Sequence, residues 1–192
     1  MSDNNKNIIT EKAVDFNIST EIEHGIRVSN LAYWISRELN LSEEESYQMA
    51  IAGMLHDIGK LKLSHYLYEE KEKLNIDTLR YIRKHPTLGY EILANKYSKL
   101  VAESILHHHE NYDGTGYPDN LSGEEIPLGS RILRISDVFA ALTSDRPYRR
   151  AFDKGTALEL MIEEVKNFDV KIFIVFQRVI HDEQLIAEMK VI

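Results

Sequence analysis

Apolar residues recur at helical spacing along most of this chain. Ile22, Ile26, Val28, Leu31, Ala32, Ile35 and Leu39 predict a first long helix, and Ser42-Glu43-Glu44-Glu45 after Asn40 reads as an N-cap with an acidic first turn. A second helix is expected from Ser42 to Ile58, with Met49, Ala52, Leu55 and His56 inward and Gly59 as its C-terminal residue. Residues 60–75 are charged and lack periodicity, which predicts an ordered loop with one short helical turn. Further helices are expected over 77–84, from Pro86 to Tyr97, and over 98–108, 131–143, 154–167 and 170–181, with Pro86 at a first helical position. Period-two alternation is confined to the short piece Lys171-Ile172-Phe173-Ile174-Val175. The pattern predicts an all-α fold, a compact helical bundle.

Three of the four Pro and four of the nine Gly fall between Gly114 and Pro147. Segment 110–130 is turn chemistry throughout, and a loop of that length in a compact domain is usually functional. No repeat, low-complexity tract or dividing linker interrupts the chain. One domain over residues 19–192 after a tail of 1–18 is the expected organisation.

Composition narrows the chemistry. With 192 residues the chain can bury a core unaided, and the absence of Cys excludes disulfides, a thiolate nucleophile and a Cys-type zinc site. The 23 Lys and Arg against 31 Asp and Glu give a formal net charge of −8, so no basic field exists for long nucleic acid or an anionic membrane. No apolar run approaches a membrane span, and the polar N-terminus lacks a signal peptide, so a cytoplasmic protein is expected. Eight His, three of them consecutive, stand out.

Leu55-His56-Asp57-Ile58-Gly59-Lys60 puts neighbouring His and Asp at the end of an apolar helix. Alone, such a pair is most simply a hydrogen-bonded pair or a cap. The other candidates change that reading: His24 on the buried stripe of the first helix, His85 before Pro86, His108-His109 before the glycine loop, and Asp137 amid apolar residues. Five imidazoles and two carboxylates at helix faces and ends suit a mixed-ligand metal site. Seven ligands exceed one ion's coordination sphere, which points to two metals. Asp57, with two oxygens, is the natural bridge, and an ion pair about 4 Å apart can hold a bridging hydroxide for attack at phosphorus.

The chain resembles the HD-GYP branch of the HD-domain phosphohydrolases. His56-Asp57-Ile58-Gly59-Lys60 is similar to the HD motif, and the stretch from His108-His109-Glu110 through Gly116-Tyr117-Pro118 is similar to the family's long signature. Leu121 to Pro127, Arg131 to Ala140 and Leu142 to Arg149 continue the match, and the resemblance runs from about residue 20 to 176. It implies an all-helical hydrolase of cyclic dinucleotides, chiefly cyclic di-GMP, giving linear pGpG, GMP or both. It also implies two divalent ions, with iron and manganese foremost. His24, His56, Asp57 and Asp137 match the ligands of one ion, and Asp57, His85, His108 and His109 those of the other. Lys60 matches the lysine near the bridging water and phosphate. Arg146 and Arg149 match basic positions facing substrate phosphates, and Tyr117 belongs to the loop beside the site, where it stacks on guanine or packs the loop. Family members usually follow receiver or sensory domains, so an upstream regulatory domain or a homodimer is an expected partner.

The chain departs from the family pattern in two places. Glu70-Lys71-Glu72 stand where the family has Lys-Pro-Gly, an acidic replacement expected to weaken binding of a dianionic substrate. The family's third-metal carboxylate, four residues before the first His, is Thr20 here, leaving Glu21 and His65 as the candidates for a third ion. Glu110 is expected to orient a ligating imidazole, with a loop cap as the alternative. His107 is expected to face solvent or to support a neighbouring side chain rather than ligate, His181 to lie on the surface, and Trp34 to join the core or a subunit contact. The competing functions are another phosphoester hydrolase of the wider HD superfamily, such as a nucleotidase, and a catalytically weak module that senses a cyclic dinucleotide or docks a partner without turnover.

Overall fold

The computed structural model describes residues 18–63, 76–146 and 149–189. The expectations for His65, for the acidic 69–72 segment and for all but the end of the N-terminal tail lie outside those residues. Among the described residues the protein is all-α. Its helices are α1 (Ile18–Glu38), α2 (Glu43–Leu55), α3 (Ile76–Ile82), α4 (His85–Leu93), α5 (Lys99–Leu106), α6 (Leu128–Leu142), α7 (Lys154–Glu163), α8 (Val170–His181) and α9 (Glu183–Met189). The Lys171 to Val175 alternation belongs to α8, whose amphipathic face buries Ile172, Phe173, Phe176, Val179 and Ile180.

Helix starts follow the capping chemistry. The Ser42 side chain accepts from the Glu45 amide at 3.2 Å while the Ser42 amide donates to the Glu45 carboxylate at 2.9 Å, a closed capping box. Ser98 caps α5, Asp153 caps α7 and Asp169 caps α8. Asp169 also binds Arg131 at 2.6 Å, tying the start of α8 to α6.

α1 packs on α2, α6 and α8, while α5 lies against α2, α4 and α6. The interior they share contains Val28, Ala32 and Ile35 of α1, Ile132, Leu133 and Ile135 of α6, and Phe176 of α8, all fully buried. Trp34 packs against the rim of this core. α1 and α2 approach closely at Gly53, where a Cβ would lie 2.8 Å from the Ser29 backbone. That approach brings His24, one turn earlier on α1, beside His56 at the end of α2. No helix among the described residues is long and apolar enough to cross a membrane.

Three sequence expectations change. α2 ends at Leu55 with His56 as its C-cap, and residues 60–63 form the next helical turn, so Gly59 is not a left-handed terminator. A Cβ at Gly59 would fall 2.0 Å from the His85 carbonyl oxygen, so Gly is needed there for contact between the turn and α4. The expected helix over 154–167 breaks after Glu163 into a 3-10 turn at Val165–Asn167. α9 has no counterpart in the sequence expectations.

Candidate metal centre

Five segments converge on one buried cluster. α1 contributes His24, the turn after α2 contributes His56, Asp57 and Lys60, and the first residue of α4 is His85. The chain leaving α5 supplies His108 and His109, and the middle of α6 supplies Asp137. His24, His56, His85 and His108 are 5% exposed or less, which for polar side chains demands partners.

Backbone carbonyls orient three of the rings. His56 Nδ1 donates to Gly53 O at 2.8 Å, His85 Nδ1 to Ile82 O at 2.8 Å and His108 Nδ1 to Ile105 O at 2.6 Å. Each bond runs back three residues, within the local turn, and leaves Nε2 pointing into the cluster. His85 Nε2 lies 3.3 Å from His108 Nε2 and 3.2 Å from His109 Nε2. With Nδ1 carrying the proton on both His85 and His108, two nitrogen lone pairs face each other, an arrangement that a shared cation relieves.

The second group centres on Asp137. Its Oδ1 is 2.9 Å from His24 Nε2 and 3.7 Å from His56 Nε2. Asp57 lies between the groups, with Oδ2 3.2 Å from His56 Nε2 and Oδ1 3.1 Å from His85 Nε2. Thus His24, His56 and Asp57 form one ligand-type group, and His85, His108 and His109 another. His24 Nδ1 and His56 Nε2 are buried without a hydrogen-bond partner. Those open nitrogens, the opposed lone pairs and the hard-and-borderline donor set fit a pair of divalent ions.

Charge in the cluster is tightly coupled. Burial alone would raise the Asp57 carboxyl, but Lys60, His56 and His85 hold it well below the usual carboxylate range. Asp137 is likewise held well below that range, because His24 and His56 outweigh its burial. Burial lowers His85, pushes His108 well below its usual value, and brings His109 down to about 3 despite the carboxylate of Asp137. The three imidazoles therefore sit neutral, the form that ligates. Burial opposes charge on His56, yet Asp57 and Asp137 outweigh it and raise His56 to about 9. Lys60 is raised above its usual value because Asp57 and Glu21 overcome its desolvation. Its Nζ donates to Asp57 Oδ2 at 2.6 Å and to Glu21 Oε2 at 3.2 Å.

Around this cluster the sequence reading is partly revised. Tyr117 stacks on His109 with ring centroids 4.8 Å apart and planes 23° apart, and the Arg83 guanidinium lies 5.2 Å from the Tyr117 ring centroid. Arg134 donates from Nε to Asn111 Oδ1 at 3.1 Å and lies close enough to Asp137 for the two charges to attract. Neither arginine was a sequence candidate; the signal was Arg134 one turn before Asp137 and Arg83 two residues before His85. Glu110 does not orient an imidazole. Its Oε1 accepts from the Asp119 amide at 2.7 Å, so this buried carboxylate braces the glycine loop. His107 also faces that loop, with Nε2 3.0 Å from Asp119 Oδ2, while His181 is on the surface.

Arg149, expected to face substrate phosphates, has its guanidinium turned to the backbone. Its guanidinium donates to the carbonyls of Ala141 at 2.7 Å, Leu142 at 3.0 Å and Arg150 at 3.0 Å, closing the end of α6. Those bonds leave little of the planar fork for a ligand. Arg146 pairs with Arg149 through backbone only and lines a cleft with Asp145, Arg149 and Arg150. Glu21 turns to Lys60, and it belongs to neither ligand-type group among the described residues.

A family model described as HD domain matches residues 5–172. This chain belongs to the HD domain family. Among curated proteins, this HD domain is 42% identical over 135 residues to the cyclic di-GMP phosphodiesterase response regulator RpfG of Xanthomonas campestris pv. campestris, covering 69% of this chain and 36% of that protein. It is 33% identical over 174 residues to the 3'3'-cGAMP-specific phosphodiesterase 1 of Vibrio cholerae serotype O1, covering 89% of this chain and 40% of that protein. The chain thus spans well under half the length of these relatives. Among solved structures, a cyclic GMP-AMP phosphodiesterase of V. cholerae, V-cGAP3, superposes with a TM-score of 0.69 at 22% identity, covering 88% of this chain and 46% of that one. The PgpH HD domain of L. monocytogenes in complex with cyclic-di-AMP gives 0.54 at 19% identity, covering 89% and 90%. At these identities the likeness is one of fold.

Proposed function

We propose that this HD domain is a metal-dependent phosphodiesterase that hydrolyses cyclic di-GMP or a related cyclic dinucleotide to the linear dinucleotide, the mononucleotide, or both. The observation that carries the reading is Asp57, whose two oxygens lie 3.2 Å and 3.1 Å from histidine nitrogens of two different groups. A carboxylate so placed is suited to join two ions, the arrangement used for in-line displacement at phosphorus. His24, His56, Asp57 and Asp137 would hold one ion, and Asp57, His85, His108 and His109 the other, with iron or manganese the proposed metals. When bound, the ions supply Lewis acidity that activates water and neutralises phosphate charge.

The chain's own residues do the rest. Backbone carbonyls keep Nε2 of His56, His85 and His108 aimed inward, and burial keeps His85 and His108 neutral, so binding needs little rearrangement of those two. Lys60 stays cationic because Asp57 and Glu21 flank it, and at 24% side-chain exposure it remains reachable by substrate. Its ammonium would stabilise the negative charge that grows on phosphate oxygens during attack. Tyr117, stacked on His109, fixes that ring and walls the cluster on the glycine-loop side.

The test is product chromatography after incubating protein reconstituted anaerobically with iron, and separately with manganese, with cyclic di-GMP, 3'3'-cGAMP and cyclic di-AMP. Linear dinucleotide or mononucleotide should accumulate only with metal. Tight binding of a cyclic dinucleotide without product under every metal condition would replace the enzyme reading with that of a sensor.

A further inference from the structure

Resting on the phosphodiesterase reading above, we propose that the apolar recess between α1 and the α2 turn is a base subsite that selects guanine through the Glu21 carboxylate. The recess measures about 250 Å³, and its walls include Ile22, Met54, Ile58 and Leu61. Its polar lining residues, among the described residues, are Glu21 and Asp57. Pockets that enclose a whole drug-sized ligand run from about 300 to 1,000 Å³, so this one suits a single flat ring system rather than a dinucleotide. Ile22, Met54 and Leu61 are 47%, 40% and 48% exposed, a group of open apolar side chains at the edge of a charged cluster. Asp57 belongs both to the recess and to the cluster. A base in the recess would therefore sit beside the cluster, where a phosphate of the same molecule can reach the candidate ligands.

Edge chemistry names the base. Glu21 Oε2 accepts from Lys60 Nζ at 3.2 Å, and Oε1 has no partner among the described residues. Asp57 is committed to Lys60, His56 and His85, so Glu21 is the acceptor left to read a base. Guanine offers adjacent N1–H and N2–H donors on its Watson–Crick edge, and the open Oε1, with two lone pairs, can accept from both while the faces of the base lie against aliphatic walls. Adenine presents the N1 lone pair at the corresponding place, against the carboxylate. Adenine keeps a donor at N6, but the lone pair in place of guanine's N1–H turns one hydrogen bond into a repulsive contact with the carboxylate, a larger penalty than an apolar pocket exacts for a change of size.

The experiment compares kcat/KM for cyclic di-GMP and cyclic di-AMP in metal-loaded wild type and Glu21→Gln, with bis(p-nitrophenyl) phosphate as a phosphodiester without a purine. Wild type should favour cyclic di-GMP by at least a hundredfold. Glu21→Gln should cut that ratio at least tenfold, because a glutamine amide can turn an N–H toward adenine N1. Any general loss from loosening Lys60 cancels in the ratio. Met54→Trp, which fills the recess, should raise KM for cyclic di-GMP at least tenfold more than for the nitrophenyl ester. An unchanged ratio in Glu21→Gln, or equal KM effects in Met54→Trp, overturns the subsite. If wild type cleaves the nitrophenyl ester but no cyclic dinucleotide, the substrate assignment fails separately. Calorimetry with GMP and AMP then decides the recess: tighter GMP binding that Glu21→Gln abolishes supports it, and equal or absent binding overturns it.

Discussion

Asp57 touches both halves of the cluster, and its replacement by Asn tests the arrangement with little change of shape. Asn keeps one oxygen but loses the charge that Lys60, His56 and His85 share. Asp57→Asn should retain at most one tightly held ion and lose turnover by several orders of magnitude, checked by metal analysis and product chromatography on the same sample. Lys60 acts differently, since its ammonium meets charge that develops during reaction. Lys60→Ala should lower kcat at least a hundredfold, about 2.7 kcal/mol of transition-state stabilisation, while KM changes by less than fivefold. Steady-state kinetics separate the two parameters, and a rise in KM at constant kcat would make Lys60 a ground-state contact. The structure brings together the seven side chains that the sequence offers as candidate ligands, and the cue for them is imidazoles and carboxylates gathered on helix faces and at helix ends. The roles of Glu110 and Arg149 were not legible in the sequence: each is set by which backbone amides or carbonyls the folded loop presents, and no side-chain pattern records that.

Helix ends, more than helix bodies, place the chemistry. His56, His85, His108 and His109 lie at or just beyond termini, where local turns supply the carbonyls that hold His56, His85 and His108. Helix bodies were readable from period and caps, and α8 begins and ends where the sequence predicts. The end of α2 differs from the expectation because Gly59 is not a helix terminator: its lack of a side chain serves a contact with α4. Gly59→Ala should therefore do more than lower helix-end stability. Its Cβ would meet the His85 carbonyl at 2.0 Å and the Gly89 amide nitrogen at 2.7 Å, backbone that cannot swing aside. Overpacking of this kind costs about 1 to 3 kcal/mol. It would also displace His85 relative to Asp57, so thermal melting should fall by several degrees and metal affinity should fall with it. A variant melting like wild type with full metal binding would show that the turn has room to yield.

Taken whole, the molecule is a bundle whose interior holds a charged cluster beside its apolar core. Ala32 and Ile35 of α1 and Ile132, Leu133 and Ile135 of α6 are fully buried, while Asp137 projects from the same α6 toward His24. The nitrogens of His85, His108 and His109 face one another at 3.2 to 3.3 Å, a crowding that a bound cation relieves, so ion binding and folding should be linked. At metal a thousandfold above its dissociation constant, linkage contributes about 4 kcal/mol. At about 2 to 4 °C per kcal/mol for a chain of this size, the melting midpoint should rise by roughly 10 °C on loading and return on chelation. Scanning calorimetry of both forms reads this directly. The convergence itself was beyond sequence periodicity, which reports the buried stripe of each helix but not which stripes meet.

Titrating metal-free protein anaerobically with iron or manganese, while measuring cyclic di-GMP hydrolysis at each addition, tests the two-ion phosphodiesterase most directly. Activity should stay low through the first equivalent, climb through the second and level off at two per chain. A plateau at one equivalent would contradict the bridging place of Asp57, and no hydrolysis at any loading would contradict the phosphodiesterase itself.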